Sequence, residues 1–311
     1  MFQLPRPAGV PVRAALLLAA ASVVIFLCTA ALPGDAADVL GGGRATAEEL
    51  ARLRAEQGLD RPLPVRYLDW LSGVLTGEPG VSLITGRPVA ELVAERAAVT
   101  LALAVAALAL GLPLTTALAW AAVRGPRWAR PAVNTLIVTG AALPQAVVAA
   151  ALVAWLSTAW GAFPPVSMLP AGEPPWHRPD LLVLPVLTLA LPTAAYGAAL
   201  LRGAIADVVA QPYVRDAELR GLSPVTVLFR YVLPMVAAPA TRLFAVLLGG
   251  LVAGTAVVEI LFGLAGLGEL LVTAISTRDV PVVQNVALLA AAVVVAGLLV
   301  ADAAAPEAVR S

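Results

Sequence analysis

Long stretches without a charged residue alternate with short charged ones along the whole chain. Residues 14–34, 97–123, 181–201 and 280–301 carry no Asp, Glu or Arg. A fifth run, between Arg130 and Glu173, is longer still and turns Pro-rich after Phe163. A sixth, broken once by Arg242, lies between Arg230 and Glu259. A helix needs about 20 apolar residues to cross a bilayer, and each run supplies them. None alternates with period two, so the spans are helices and not barrel strands. The pattern predicts an all-α integral membrane protein with six transmembrane helices, near 14–32, 98–122, 132–155, 181–201, 235–260 and 281–302.

Between the first two spans the pattern turns amphipathic. Thr46 with Glu49 three residues on has the spacing of a capping box, predicting a helix over 45–59. Asp60–Leu75 places Leu63, Tyr67, Trp70 and Leu71 on one side, and Pro88–Ala97 does the same with Val89, Leu92 and Val93. These segments are expected on the outer surface, with Tyr67 and Trp70 at headgroup depth. Pro144 predicts a kink in the third span, and the prolines of Trp160–Pro179 predict an irregular outer loop. The chain then divides into 1–97, the first helix with its amphipathic extension, and 98–311, a five-helix core holding a polar loop at 203–234.

Charge adds orientation. With both termini in the cytoplasm, Arg6, Arg13, Arg124, Arg127, Arg130, Arg202, Arg215, Arg220, Arg230, Arg242 and Arg310 lie inside. Only Asp207, Asp216, Glu218, Asp302 and Glu307 oppose them there. This is the positive-inside bias, and the short loop Val123–Arg130, with three Arg and no acid, is its strongest vote. The N-terminal run is longer than the usual signal-peptide core of about 7–15 residues, so it reads as a retained helix.

Composition removes whole classes of chemistry. Every basic residue is Arg, so the chain lacks the lysine by which a phosphate-binding loop reaches terminal phosphates, and Schiff-base chemistry is excluded as well. One cysteine, Cys28, and one histidine, His177, make neither a disulfide framework nor a zinc site. Cys28 is expected to pack within the first helix, and His177 to lie at a surface. No enzymatic activity and no cofactor are expected, and nothing points to nucleic acid.

The polar loop carries the functional signal. Helix four can continue through Val209 until Gln211-Pro212 breaks it, and Tyr213–Arg220 favours a short helix stopped by Gly221. Ser223-Pro224 starts the next helix, with Val225, Leu228, Val232 and Leu233 as its apolar stripe. A short helix exposing Arg215, Asp216, Glu218 and Arg220 would thus stand out from the membrane on two arms.

Seven segments in order add a resemblance. They are PGD at Pro33–Asp35, GLDRPLPVRYLDWL at 58–71, GEPGVSL at 77–83, TGRPV at 85–89, YVRDAELRGLS at 213–223, GTAVVEILFGLAGLGELL at 254–271 and RDVPVVQ at 278–284. Together they resemble the dipeptide/oligopeptide/nickel permeases of binding-protein-dependent ABC importers, the DppB/OppB-like branch. Gly221 with Pro234 thirteen residues later also matches that group's EAA loop. The resemblance implies a type I (MetI-like) importer fold with both termini cytoplasmic, in a bacterial cell membrane. It implies a coupling helix that docks on an ATPase, assigned here to Arg215, Asp216, Ala217, Glu218, Arg220, Gly221 and Pro234. It implies as partners a second permease subunit in a heterodimer, two cytoplasmic ATPase subunits and an extracytoplasmic substrate-binding protein. Di- or oligopeptides are the expected cargo; nickel or another small solute is the alternative.

This chain departs from the family pattern at several places. Glu218 stands where a basic residue is usual, Tyr231 where His is frequent, Ala265 where Pro precedes Gly266, and the C-terminal Asp-Pro-Arg is reduced to Ala305-Pro306-Glu307. The acidic Glu218 suggests an ATPase surface adjusted to match.

Other residues leave two readings open. Gly250 and Gly254 form a GxxxG step suited to close helix packing, within the chain or against the second permease. Arg242 either snorkels to the inner interface or lines the translocation path. Glu259, near the outer end of helix five, is expected to lose little hydration there; it is a candidate gate or binding-protein contact. Phe262–Leu271, within the short outer segment Phe262–Arg278, reads as an outer scoop against the binding protein or a plain turn. A secondary transporter would need acids or His within the membrane, and five of the six spans have none. An intramembrane protease would need a catalytic constellation at membrane depth that the sequence lacks.

Overall fold

The computed structural model describes residues 9–31, 48, 60–170 and 173–304. Among them the helices are α1 (Gly9–Ala30), α2 (Leu63–Thr76), α3 (Val89–Arg124), α4 (Arg130–Ala142), α5 (Gln145–Leu152, continued by a π-helical turn to Ala159) and α6 (Pro179–Val209). Then follow α7 (Pro212–Leu219), α8 (Pro224–Val227, continued by a π-helical turn to Val232), α9 (Leu233–Phe262), α10 (Leu267–Ser276) and α11 (Val280–Ala304). Extended pairing among the described residues is limited to one isolated bridge, Val81 with Pro88. The capping box expected at Thr46 and Glu49 lies outside the described residues.

Among the described residues, five helices are long and apolar enough to cross a bilayer, or six if the bent pair α4–α5 counts as one span. The bend replaces the expected kink. Leu143 (ψ 128°) and Pro144 (ψ 139°) are both extended, and the axes turn by 110°. Proline lacks an N–H and forces its predecessor out of the helical region, so two residues leave the helix together. At 13 residues, α4 reaches about 20 Å and cannot cross a hydrocarbon core of about 30 Å alone.

A second difference concerns Pro88–Ala97, expected as a separate amphipathic stretch. It is the first part of α3, whose 36 residues extend about 54 Å. Its Glu91, Glu95 and Arg96 are therefore carried on the same rod as the apolar span.

The chain forms two compact units. The first comprises Met1–Thr100 and Ala265–Val295. Within it α2 packs on α1 through aromatic rings: Phe26 meets Tyr67 edge-on at 5.3 Å and stacks with Trp70 at 6.1 Å. Tyr67 also shares a 3.0 Å hydrogen bond with Ser22. Leu63, expected on that face, is exposed. Cys28, expected to pack, is exposed on α1.

The first unit is also tied by polar bonds around a tight hairpin at 79–88. The Asp279 carboxylate, 4% exposed, accepts the Ser82 hydroxyl and the Leu83 N–H. Asn285 donates to Pro79 O at 3.0 Å, and Gln284 donates to the Thr29 hydroxyl at 2.8 Å. Arg96 pairs with Glu269 at 2.7 Å across from α3 to α10. Val89, Leu92, Ala274, Val282, Val283 and Val286 form the apolar cluster beneath. After a turn over Gly263–Gly266 the segment continues as a short apolar helix, α10.

The second unit comprises Leu101–Leu264 and Ala296–Ser311. Its centre is α6, where Leu189, Ala190, Ala194, Ala198 and Ile205 are fully buried. Small residues let the backbones close up, as expected inside lipid. A Cβ at Gly197 would come within 2.8 Å of Thr115, and one at Gly140 within 3.0 Å of Ala195. Pro185, inside α6, cannot donate to Leu181 O; the buried Ser167 hydroxyl supplies that bond from the proline-rich loop. The described residues of that loop are irregular except for a short turn at Pro175–His177, and His177 is exposed.

Candidate functional site

The polar loop is built by backbone chemistry that the residues announce. After Val209 the chain turns extended at Gln211 (ψ 143°), and Pro212 opens α7, where a missing N–H costs nothing. Gly221 closes α7 at φ +81°, a left-handed position that glycine adopts without penalty. The Gly221 N–H bonds to Glu218 O and the Leu222 N–H to Ala217 O, the paired bonds of a Schellman cap. Ser223 then caps α8, its hydroxyl accepting the Thr226 N–H at 3.2 Å. A two-turn helix is therefore fixed at both ends.

Its two faces differ sharply. Val214 and Ala217 are 1% and 2% exposed, one turn apart, and join a cluster with Ala119 and Ala122 of α3, Ile137 of α4, and Leu201 and Ile205 of α6. Ala217 therefore serves as the seat of α7, not as part of its outer face. Tyr213, Arg215, Asp216, Leu219 and Arg220 are exposed, Leu219 at 78%. A large apolar side chain that open to its surroundings, ringed by charges, is the profile of a contact surface. Leu219 was absent from the expected set because a lone Leu among charges reads as a core position. In α8 the stripe also shifts: Val225 is exposed, while Val227, Leu228 and Val232 are buried.

Glu218 does not face outward with its neighbours. It forms an ion pair with Arg124, the last residue of α3, each side chain about one-third exposed. The acid that looked like an adjustment to an outside partner thus has its counter-charge within the chain. Arg124 had signalled only topology in the sequence. Around it the polar contacts continue: Arg130 Nε donates to Gly125 O at 2.7 Å, Asn134 Nδ2 to Arg130 O at 2.9 Å, and Arg202 Nη1 to Asn134 Oδ1 at 2.6 Å.

The remaining candidates lie on α9, which Pro234, exposed, opens in its first turn. Gly254 packs internally, since a Cβ there would meet the Gln145 side chain at 2.5 Å and Leu189 at 3.2 Å. Gly250, one turn earlier, faces open space. Glu259 is fully buried, contrary to the expectation of a hydrated position: its turn of α9 packs inward just before the Gly263 cap. The side chain of Arg242 lies outside the described set.

Comparison with known proteins agrees with this architecture. Residues 111–306 match the family described as the binding-protein-dependent transport system inner membrane component, and residues 10–104 match the N-terminal part of such components. A protein of Sinorhizobium fredii named as a peptide ABC transporter permease is 31% identical over 278 residues, 88% of this chain and 87% of the relative. A peptide transport system permease protein of Brucella abortus is 34% identical over 272 residues, 86% and 85% of the two chains. The glutathione transport system permease protein of Salmonella typhimurium is 33% identical over 269 residues, again 86% and 85%. The chain belongs to the family of inner membrane components of binding-protein-dependent transport systems.

Proposed function

We propose that this chain imports di- or oligopeptides as one half of a heterodimeric permease, and that α7 is its docking helix for the ATPase. As a family member it is a multi-pass permease of the bacterial inner membrane, working with ATPase subunits and a substrate-binding protein. ATP hydrolysis belongs to those separate subunits. The observation that carries the docking assignment is α7 itself. It is opened by Pro212, closed by the Gly221 cap, seated by Val214 and Ala217, and presents Tyr213, Arg215, Asp216, Leu219 and Arg220 outward. Gly221 fixes its end and Pro234 opens the span that follows.

Peptide cargo is supported by the names of the relatives, which transport peptides or glutathione. Two ATPase subunits then act on two permease subunits, and the open Gly250 face of α9 suits the second permease. Glu259 is assigned to the gate: an acid wholly withdrawn from water within a span is functional by default, and opening would rehydrate it. Arg242 is the second charged candidate for the path, on its sequence position alone.

Uptake by proteoliposomes containing both permeases, the ATPases and the binding protein tests the reading. Radiolabelled dipeptide should accumulate only with ATP inside. Accumulation that persists without the ATPases and collapses with an uncoupler would overturn it.

A further inference from the structure

We propose that Glu218 and Arg124 form the mechanical link through which displacement of α7 reaches α3, with Arg130, Asn134 and Arg202 extending it to α4 and α6. The inference rests on α7 being the docking helix. Two kinds of contact join α7 to the rest of its unit. The apolar seat, Val214 and Ala217, is non-directional: such surfaces hold elements together but permit sliding. The ion pair is different, because it joins one point of α7 to the terminal residue of a single long helix. A pair one-third exposed adds little to the stability of the fold. Its contribution is therefore one of direction.

The position of Arg124 favours such a role. A cation in the last turn of α3 also sits well against the helix dipole, so the pair can reform after each displacement. From Arg124 the path passes along the backbone to Gly125 and then through hydrogen bonds. Gly125, next in the chain, accepts from Arg130; Arg130 O accepts from Asn134; and Asn134 Oδ1 accepts from Arg202 of α6. Because α6 leads directly into α7, the links close a ring, α7 to α3 to α4 to α6 and back. A pull on α7 is thereby shared among three helices whose other contacts are mainly apolar, apart from the Thr115 hydroxyl of α3 donating to Ala194 O of α6. Arg215, Asp216 and Arg220, by contrast, have no ion pair among the described residues and are left for an outside partner. Glu218 and Arg124 are positioning residues; neither touches cargo.

The test uses the complete reconstituted transporter and reads dipeptide imported per ATP hydrolysed, alongside the amount of ATPase subunit retained. Glu218→Arg and Arg124→Glu should each lower the ratio roughly fivefold or more, the range of ordinary coupling between sites, with ATPase retention unchanged. The double variant R124E/E218R should regain most of the ratio. Glu218→Gln, which preserves shape, should shift it in the same direction and guards against a folding artefact. An unchanged ratio in the single variants, or a double variant no better than they are, overturns the link. Loss of the ATPase from Glu218→Arg also overturns it, since Glu218 would then be a docking contact. Failure of the docking assignment shows separately: in that case R215E/L219D would retain its ATPase subunits in full.

Discussion

Gly221 and the two glycines of the GxxxG step in α9 make different demands, and substitution separates them. At φ +81° an alanine in place of Gly221 would suffer the Cβ clash of a left-handed residue, about 1–2 kcal/mol. Gly221→Ala should therefore loosen the end of α7 and reduce ATPase co-purification, while the permease itself still inserts. Gly254→Ala should lower the melting temperature of the purified permease, since its Cβ has to displace Gln145 or Leu189. Gly250→Ala meets open space within a helix and should stabilise the isolated chain by about 0.5–1 kcal/mol. If Gly250→Ala instead weakens recovery of the second permease without harming the chain alone, that face is the subunit contact. Equal effects at both positions would contradict the division of the GxxxG step into an inner and an outer glycine.

At the scale of elements, the hairpin at 79–88 and the α10–α11 junction are held by one carboxylate. Asp279 accepts from Ser82 and from Leu83 in a nearly dry setting, and hydrogen bonds to a charged group contribute about 1.5–3 kcal/mol each. Asp279→Ala should lower the stability of the purified permease by about 3 kcal/mol or more, read as a fall in melting temperature, and Asp279→Asn by less. A neutral Asp279→Ala would mean that the apolar cluster alone holds the hairpin. Both partners lie inside segments that the sequence had marked, GEPGVSL and RDVPVVQ, but nothing local says that one touches the other. The same holds for Arg124 and Glu218, whose pairing depends on how α3 and α7 meet. Capping, by contrast, is legible because it is local: Gln211-Pro212, Gly221 and Ser223-Pro224 each act on their own neighbours. The break at Pro144 lies between the two cases. Proline announces a lost hydrogen bond and an extended Leu143, but the size of the turn between the two helices, 110°, is not written in those residues.

For the whole molecule, the bent pair decides the number of crossings, and the second unit contains the means to settle it. Glu218 binds Arg124, so α7 and the loop at 125–129 lie at the same side of the membrane. α6 crosses once, from Pro179 to Val209, and leads straight into α7. Trp176, just before α6, must then lie opposite Trp128. The chain between those two tryptophans consists of α4, α5 and the proline-rich loop, so α4–α5 is expected to cross as one broken span and not to re-enter. Counted so, the described residues hold six candidate crossings, and the arginine-rich loop is expected on the cytoplasmic side. Trp128 and Trp176 are 83% and 63% exposed, and with Cys28 replaced by Ser each can carry the only thiol. Trp176→Cys should react with a membrane-impermeant maleimide in spheroplasts, and Trp128→Cys only after permeabilisation. Labelling of both from outside would make α4–α5 re-entrant and break the ion pair's topology. The reverse pattern would place α7 where no cytoplasmic ATPase could reach it.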